Sequence, residues 1–344
     1  MRALVKTAKG RGHVTLATDW PAPSPEPGWV VIDVIACGIC GTDLHIVDDE
    51  HKNWPPVVLG HEYVGRIVEL GPDVSGWAVG DRVVCEQHTL ACGRCDACRR
   101  GAIHLCAHKR SPGWGINGAF ADQVALPANL LHRVPDGVAD LAAVLTEPSA
   151  ICLTGLDRLG LRAGERVAVI GPGPIGIVSA LLARRAGAAE VLVLGRSSSA
   201  DRLDLARELG FPTVTTDRED VLAVVAAVTG GVGVDAVVES SGAAEALTTA
   251  IRISRSLGRV VCLGIGGHGP GLVALDEAVS RSLTVHFSLS SEYSTWDRAL
   301  RLMAAGYDPE PLTRSYPLED WADAFADVAA RRVVKAVIMP GWSR

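Results

Sequence analysis

A histidine and a carboxylate stand side by side in Gly60-His61-Glu62, where the apolar run Val57-Val58-Leu59 ends. Upstream, Gly38-Ile39-Cys40-Gly41-Thr42-Asp43 sets a thiol next to a hydroxyl and a carboxylate, and far downstream comes Thr146-Glu147-Pro148. One thiolate, one imidazole and one or two carboxylates suit a catalytic zinc with a position open to water or substrate. A second set, Cys92, Cys95, Cys98 and Cys106, gathers four thiols within one short stretch. Four thiolates suit a closed tetrahedral zinc that staples a loop without doing chemistry. By ligand count alone an iron–sulfur cluster would also fit.

A third pattern concerns a nucleotide. Gly171-Pro172-Gly173-Pro174-Ile175-Gly176 follows a buried-strand run, residues 166–170, and opens a helical run through Ala186. Between a strand and a helix, these glycines build the turn that lets a pyrophosphate approach amides at a helix N-terminus. At the end of the next strand, NAD enzymes usually place an acid for the ribose 2′-hydroxyl. Here the sequence reads Leu194-Gly195-Arg196-Ser197-Ser198-Ser199, with no acid before Asp201. An arginine and serines suit a 2′-phosphate, so NADP is expected; NAD is the alternative if Asp201 turns back to the ribose. A Gly195→Asp change is expected to reverse that preference.

The elements that must position these groups fall into two textures. Residues 1–145 read as short strands and turns, with strands at 29–36, 66–70, 81–85 and 118–124 and no sustained helical period. From Leu153 strands alternate with amphipathic helices, the pattern of a doubly wound parallel sheet. Its further strands are expected at 191–194, 237–239, 259–263 and 284–287. After Ser288 come a helix near 295–305 and a last strand at 333–339. The chain has 344 residues, 48% of them hydrophobic and 21% charged, and a net charge of −6. That gives no reason to expect a nucleic acid or an anionic membrane as partner. Nine cysteines, four of them clustered, with no signal-peptide core at the N-terminus, point to metal-bound thiolates and a cytoplasmic location.

From about residue 20 onward, these motifs resemble the medium-chain zinc-dependent alcohol dehydrogenases, nearest to their polyol (sorbitol-type) and threonine branches. The resemblance implies an α/β protein with a GroES-like β-barrel catalytic domain, residues 1–150 and 289–344. A Rossmann domain, residues 151–288, would bind NAD(P). It implies two zinc ions: a catalytic one on Cys40, His61, Glu62 and Glu147, and a structural one on Cys92, Cys95, Cys98 and Cys106. The Cys-Gly-Thr-Asp register favours Cys40 over Cys37, and spacing to Gly171 favours Glu147 over Cys152. Thr42 would take the alcohol proton, His45 would relay it outward, and Asp43 would orient His61. Cofactor contacts would come from Gly171, Gly173, Pro174, Ile175, Gly176, Gly195, Arg196, Ser197, Leu263, Gly264 and Ser288. Substrate contacts would come from Trp114, Ser291, Glu292 and Tyr293. The expected reaction moves a hydride between a secondary alcohol (polyol, sugar or cyclitol) and NAD(P)+, giving a ketone. A threonine, amino-alcohol or nucleoside dehydrogenase is the alternative, and a non-catalytic NAD(P)H-binding protein is a third reading. Strand 284–287 is expected at the sheet edge, pairing subunits into a homodimer or homotetramer.

Overall fold

The computed structural model describes residues 1–266, 269 and 271–342. The chain forms two units, Met1–Glu147 with Glu292–Arg344, and Pro148–Ser291. The division falls within three residues of the expected 150/151 and 288/289.

The first unit is built on the strand Trp29–Gly38, whose nearly continuous apolar run suits a position flanked on both sides. It pairs antiparallel with Glu62–Leu70 along its length, with Gln123–Pro127 through its first half, and with Lys335–Met339 at its last two residues. Arg82–Cys85 and Leu131–Arg133 extend the sheet beyond Glu62–Leu70, and Thr313–Pro317 extends it beyond Lys335–Met339. A three-stranded sheet of Val14–Ala17, Ala3–Lys6 and Val57–Val58 joins it through a bridge between Ala3 and Ala121. The core runs through Leu4, Val30, Ile32, Leu59, Ile67, Phe120 and Leu126, and the returning segment adds Leu318, Phe325 and Ile338.

Two expectations are corrected here. Residues 118–124 are not one strand. The N–H groups of Gly118, Ala119 and Phe120 donate to the carbonyls of Val58, Gly60 and Leu59. The strand therefore starts only at Gln123. A Cβ on Gly118 would lie 2.1 Å from the Gly60 oxygen, so only glycine allows that crossing. The stretch read as free of helix also holds a two-turn helix, Gly41–Val47, too short to show a period.

The second unit is a six-stranded parallel sheet. In space the strands run Thr213–Thr215, Glu190–Gly195, Arg166–Ile170, Val234–Glu239, Ser254–Cys262 and Thr284–Phe287. The order reverses between Arg166–Ile170 and Val234–Glu239, the switch point where such sheets bind ligands at their carboxyl ends. No helix among the described residues is long and apolar enough to cross a membrane.

One buried imidazole fastens the returning helix Tyr293–Ala304 to the barrel. His132 Nδ1 lies 2.6 Å from an oxygen of Asp297 on that helix, and Nε2 lies 3.1 Å from an oxygen of buried Glu86. The ring stacks on Trp296. Burial alone would favour the neutral ring, but hydrogen bonds to Glu86 and Asp297 outweigh it and raise the pKa. A raised folded pKa adds stability that is complete below the ordinary value of about 6.5 and is lost as pH climbs through the folded value. His132→Gln should therefore lower the denaturant midpoint more at pH 6 than at pH 9. The difference should be on the order of 1 kcal/mol, since Asp297 is partly in solvent. Equal losses at both pH values would show that the charge does not matter.

Candidate active site

Three side chains converge at one end of the central strand of the first unit. The ligand atoms of Cys40, His61 and Glu62 lie within 4.8 Å of one another. Cys40 caps the helix Gly41–Val47, and Asp43 in its first turn accepts a hydrogen bond from the Cys40 N–H at 2.9 Å. The other Asp43 oxygen sits 3.4 Å from His61 Nδ1 with both groups buried. Asp43 therefore braces the thiol segment and faces the imidazole, although these two facing atoms make no hydrogen bond. Thr42 brings its hydroxyl 3.6 Å from the Cys40 sulfur. His45, on the outer side of the same helix, pairs with Glu50 at 2.7 Å.

Glu62 is 2% exposed, and its charge is met by a residue that sequence reasoning missed. Lys335, on the strand Lys335–Met339, places Nζ 2.5 Å from a Glu62 oxygen and 3.2 Å from the Ile39 carbonyl. Gly38 makes room for this pair, because a Cβ there would stand 2.7 Å from the Glu62 carboxylate. Glu147 lies outside the three-residue group. Its carboxylate accepts a hydrogen bond from Gln87. Burial first, and then the Glu62 charge, push its pKa up to about 7. Cys37 is also outside the group; it is fully buried, and its thiol is driven well up by burial.

Cys92, Cys95, Cys98 and Cys106 form a second group within 4.8 Å, with Cys92 and Cys106 sulfurs 3.6 Å apart. A tetrahedral zinc with bonds of about 2.3 Å separates its sulfurs by roughly 3.8 Å, so the residues fit that ion. N–H groups of Arg94 and Cys95 hold the Cys92 thiol down to about 6, toward the thiolate a metal needs. The Cys40, His61 and Glu62 donors, one soft and one hard around an imidazole, likewise fit a catalytic zinc.

In the second unit, every expected cofactor residue lies at the carboxyl end of a strand. Gly171 turns with φ +104°, Gly173 caps the helix Pro174–Arg185, and Pro174 starts it. A Cβ on Gly173 meets nothing within 4 Å, leaving the amide face open to a pyrophosphate, whereas one on Gly176 would lie 1.8 Å from the Gly171 oxygen. Gly264, beside Leu263, packs on the Gly242 amide, and the Ser288 hydroxyl is buried without a partner. The expected Gly195→Asp reversal is withdrawn: a Cβ there would stand 2.7 Å from the Pro172 ring. Arg196 is exposed. Ser197 spends its N–H and its hydroxyl on Asp217, an acid from the next strand's end that sequence reading did not find.

The expected substrate residues stand in different surroundings. Trp114 stacks on Trp54 with His51 at its edge, while Tyr293 lies against His132. Glu292 is the exposed cap of the helix Tyr293–Ala304, and Ser291 is buried at the end of the second unit.

Residues 26–136 match the alcohol dehydrogenase GroES-like domain and residues 174–305 the zinc-binding dehydrogenase family. The chain is 34% identical over 343 residues to a sorbitol dehydrogenase of Halalkalibacterium halodurans, covering 99% of each chain. It is 34% identical over 353 residues to an L-threonine 3-dehydrogenase of Pyrococcus horikoshii, covering 98% of each. A zinc-binding dehydrogenase from Sinorhizobium meliloti, solved with NADP bound, superposes with a TM-score of 0.90 at 33% identity, covering 98% of this chain and 99% of that one.

Removing one partner of a buried ion pair costs about 3–5 kcal/mol, because the other charge is left without compensation. Lys335→Met should lower the unfolding midpoint accordingly, and Lys335→Met with Glu62→Gln should recover much of the loss. A single variant as stable as the parent would show that Glu62 is compensated by something else.

Proposed function

We propose a reaction from one premise: this chain belongs to the zinc-binding alcohol dehydrogenase family. It is an oxidoreductase that acts on alcohol CH–OH groups with NAD(P). Its substrate, in our reading, is a secondary alcohol of the polyol, sugar or cyclitol type, oxidised reversibly to the ketone. The observation that carries this is the pair of buried carboxylates, Glu62 and Glu147, beside Cys40 and His61. A simple alcohol site would be expected to offer a second thiolate where Glu147 stands. The sorbitol dehydrogenase relative supports the polyol reading. The threonine dehydrogenase relatives keep the amino-alcohol alternative in view.

Zinc held by Cys40, His61 and Glu62, with Glu147 alongside, would supply a Lewis acid that lowers a hydroxyl's pKa. NAD(P), held over the Gly171–Gly176 turn, would accept the hydride. The chain's own groups do the rest. Asp43 faces His61 Nδ1, which leaves Nε2 as the nitrogen for the ligand group. The Thr42 hydroxyl stands next to the Cys40 sulfur, where it can take the alcohol proton. His45 at the surface, paired with Glu50, can pass that proton to water. The four-cysteine lobe stiffens its loop.

For the cofactor, we favour NADP. With both Ser197 donors turned to Asp217, Arg196 is left as the cation for a 2′-phosphate, and Gly195 has no room for a competing acid. The NADP-bound relative supports this. We place the protein in the cytoplasm, on nine cysteines, none of them in a disulfide among the described residues, suited to a reducing compartment. We read the edge strand Thr284–Phe287, with Phe287 71% exposed, as a pairing surface for a second copy. Light scattering should report a dimer or tetramer, and a monomer at micromolar concentration would refute the pairing.

Two experiments test the reading itself. Metal analysis of active protein should find two zinc ions per chain, with brief chelation removing the Cys40 site ion first; one ion or none in active protein would contradict it. Arg196→Ala should raise the Michaelis constant for NADP about ten- to a hundredfold while barely changing that for NAD, as expected for a lost charge-assisted contact. Equal effects on both cofactors would mean that Arg196 grips a part they share.

A further inference from the structure

Two cations lie on a pair of tryptophans near the candidate zinc site, and a third, Lys109, stands close to one of them. The Arg110 guanidinium lies 3.6 Å above the Trp54 ring, and Lys52 Nζ lies 5.0 Å from the centre of the Trp114 ring. The two indoles stack 5.6 Å apart. Lys109 donates to the His104 carbonyl at 2.6 Å. One close approach, and the charges it brings together, join this group to the site. A Cβ on Gly113 would lie 3.0 Å from the Gly60 amide, just before His61. Lys109 and Glu147 feel each other's charge, as do His51 and His61.

None of the three cations has an ion-pair partner among the described residues. The acids of the adjoining loop are committed elsewhere: Asp48 to Arg11, Asp49 to Lys9, and Glu50 to His45. Stacking uses the flat face of Arg110 and leaves its edge of N–H donors unspent. Ser111, next in the chain, is 1% exposed and its hydroxyl has no partner. Burial, and then the charge of Lys52, hold the Lys109 ammonium down to about 8, so it is still mostly charged at neutral pH. A chain with net charge −6 that leaves three cations unpaired beside its reaction centre is set up to receive an anion.

We propose that the alcohol oxidised at this site carries an anionic group, a phosphate ester or a carboxylate, held by Lys52, Lys109 and Arg110 against the Trp54–Trp114 stack. This rests on the dehydrogenase reading and narrows its substrate class. A forked guanidinium and two ammonium groups match a phosphate monoester better than a single carboxylate. The tryptophans fix Lys52 and Arg110 without consuming their hydrogen bonds.

The test uses the full chain with both zinc sites filled and saturating NADP, which occupies the nucleotide phosphate sites. Inorganic phosphate is the direct probe. Titration calorimetry should show binding that weakens about tenfold or more in Arg110→Gln and again in Lys52→Gln, as expected for lost charge-assisted contacts. Binding that is absent, or unchanged in both variants, overturns the inference whatever the enzyme oxidises. Steady-state rates for sorbitol, sorbitol 6-phosphate and L-threonine then separate the sources. A kcat/KM for the phosphate ester at least tenfold above sorbitol, with the gain lying in KM and lost in Arg110→Gln, supports a phosphate. The same pattern for L-threonine supports a carboxylate. Sorbitol used as well as both charged compounds overturns the inference and leaves the dehydrogenase reading intact. If no alcohol is oxidised but Arg110-dependent phosphate binding persists, the substrate reading fails and the anion subsite stands.

Discussion

Buried negative charge must be compensated, and that constraint organises the first unit. Glu62 and Glu147 are both nearly inaccessible, and together with the Cys40 thiol they gather acidic groups where water cannot screen them. The permanent answer is Lys335, itself fully buried, at 2.5 Å from Glu62. Lys335 comes from the last strand of the chain, 273 residues away from Glu62. The polypeptide leaves the first unit at Glu147, builds the second, and returns at Glu292. The return supplies the cation and two further sheet strands. A truncated first unit would lack both.

The neighbouring backbone bears the cost of that arrangement. Gly38 has no side chain, which leaves space for the Glu62 carboxylate to reach Lys335. Gly60, at φ +93°, would bring a Cβ to 2.8 Å from both the Cys37 sulfur and the Phe120 amide. The turn before His61 is therefore clamped between Cys37 and the 118–120 crossing. Asp43 completes the scaffold with one oxygen on the Cys40 amide and the other facing His61. Precise placement of such groups depends on surroundings that cannot relax, and here they are backbone and buried carboxylate.

What could be read in advance was local. Cysteines separated by two residues, a histidine after a glycine turn, and glycines between a strand and a helix carry their chemistry within a few residues. The parallel sheet was legible for the same reason, since strand and helix periods alternate along the chain. Lys335 was not legible: in Val333-Val334-Lys335-Ala336-Val337 it reads as one outward cation in a strand. Its neighbour is set by strand register, through Val337 opposite Gly38 and Gly38 opposite Glu62. His132 and Asp297, and Lys52 and Arg110, are likewise brought near by topology alone. The short helix Gly41–Val47 escaped because two turns give no period, although Cys40 and Asp43 form its capping box.

The strand end at Gly195 shows how packing limits a specificity code. From sequence, glycine there looked like a position open to an acid. In the structure it is filled from across the turn by Pro172, the residue between the first two glycines of the nucleotide loop, and by Leu203 from the following helix. A carboxylate at this strand end would therefore require the Pro172 ring or Leu203 to shift. The nearest carboxylate instead comes from Asp217, one strand further out, and it is held by the amide and hydroxyl of Ser197. Those bonds lower the Asp217 pKa, with Arg196 adding a smaller attraction. The acid thus stays charged and fixed close to Arg196, without forming an ion pair with it among the described residues. An incoming 2′-phosphate would gain the arginine but meet that carboxylate's field, so cofactor preference here depends on how far Asp217 lies from the phosphate oxygens.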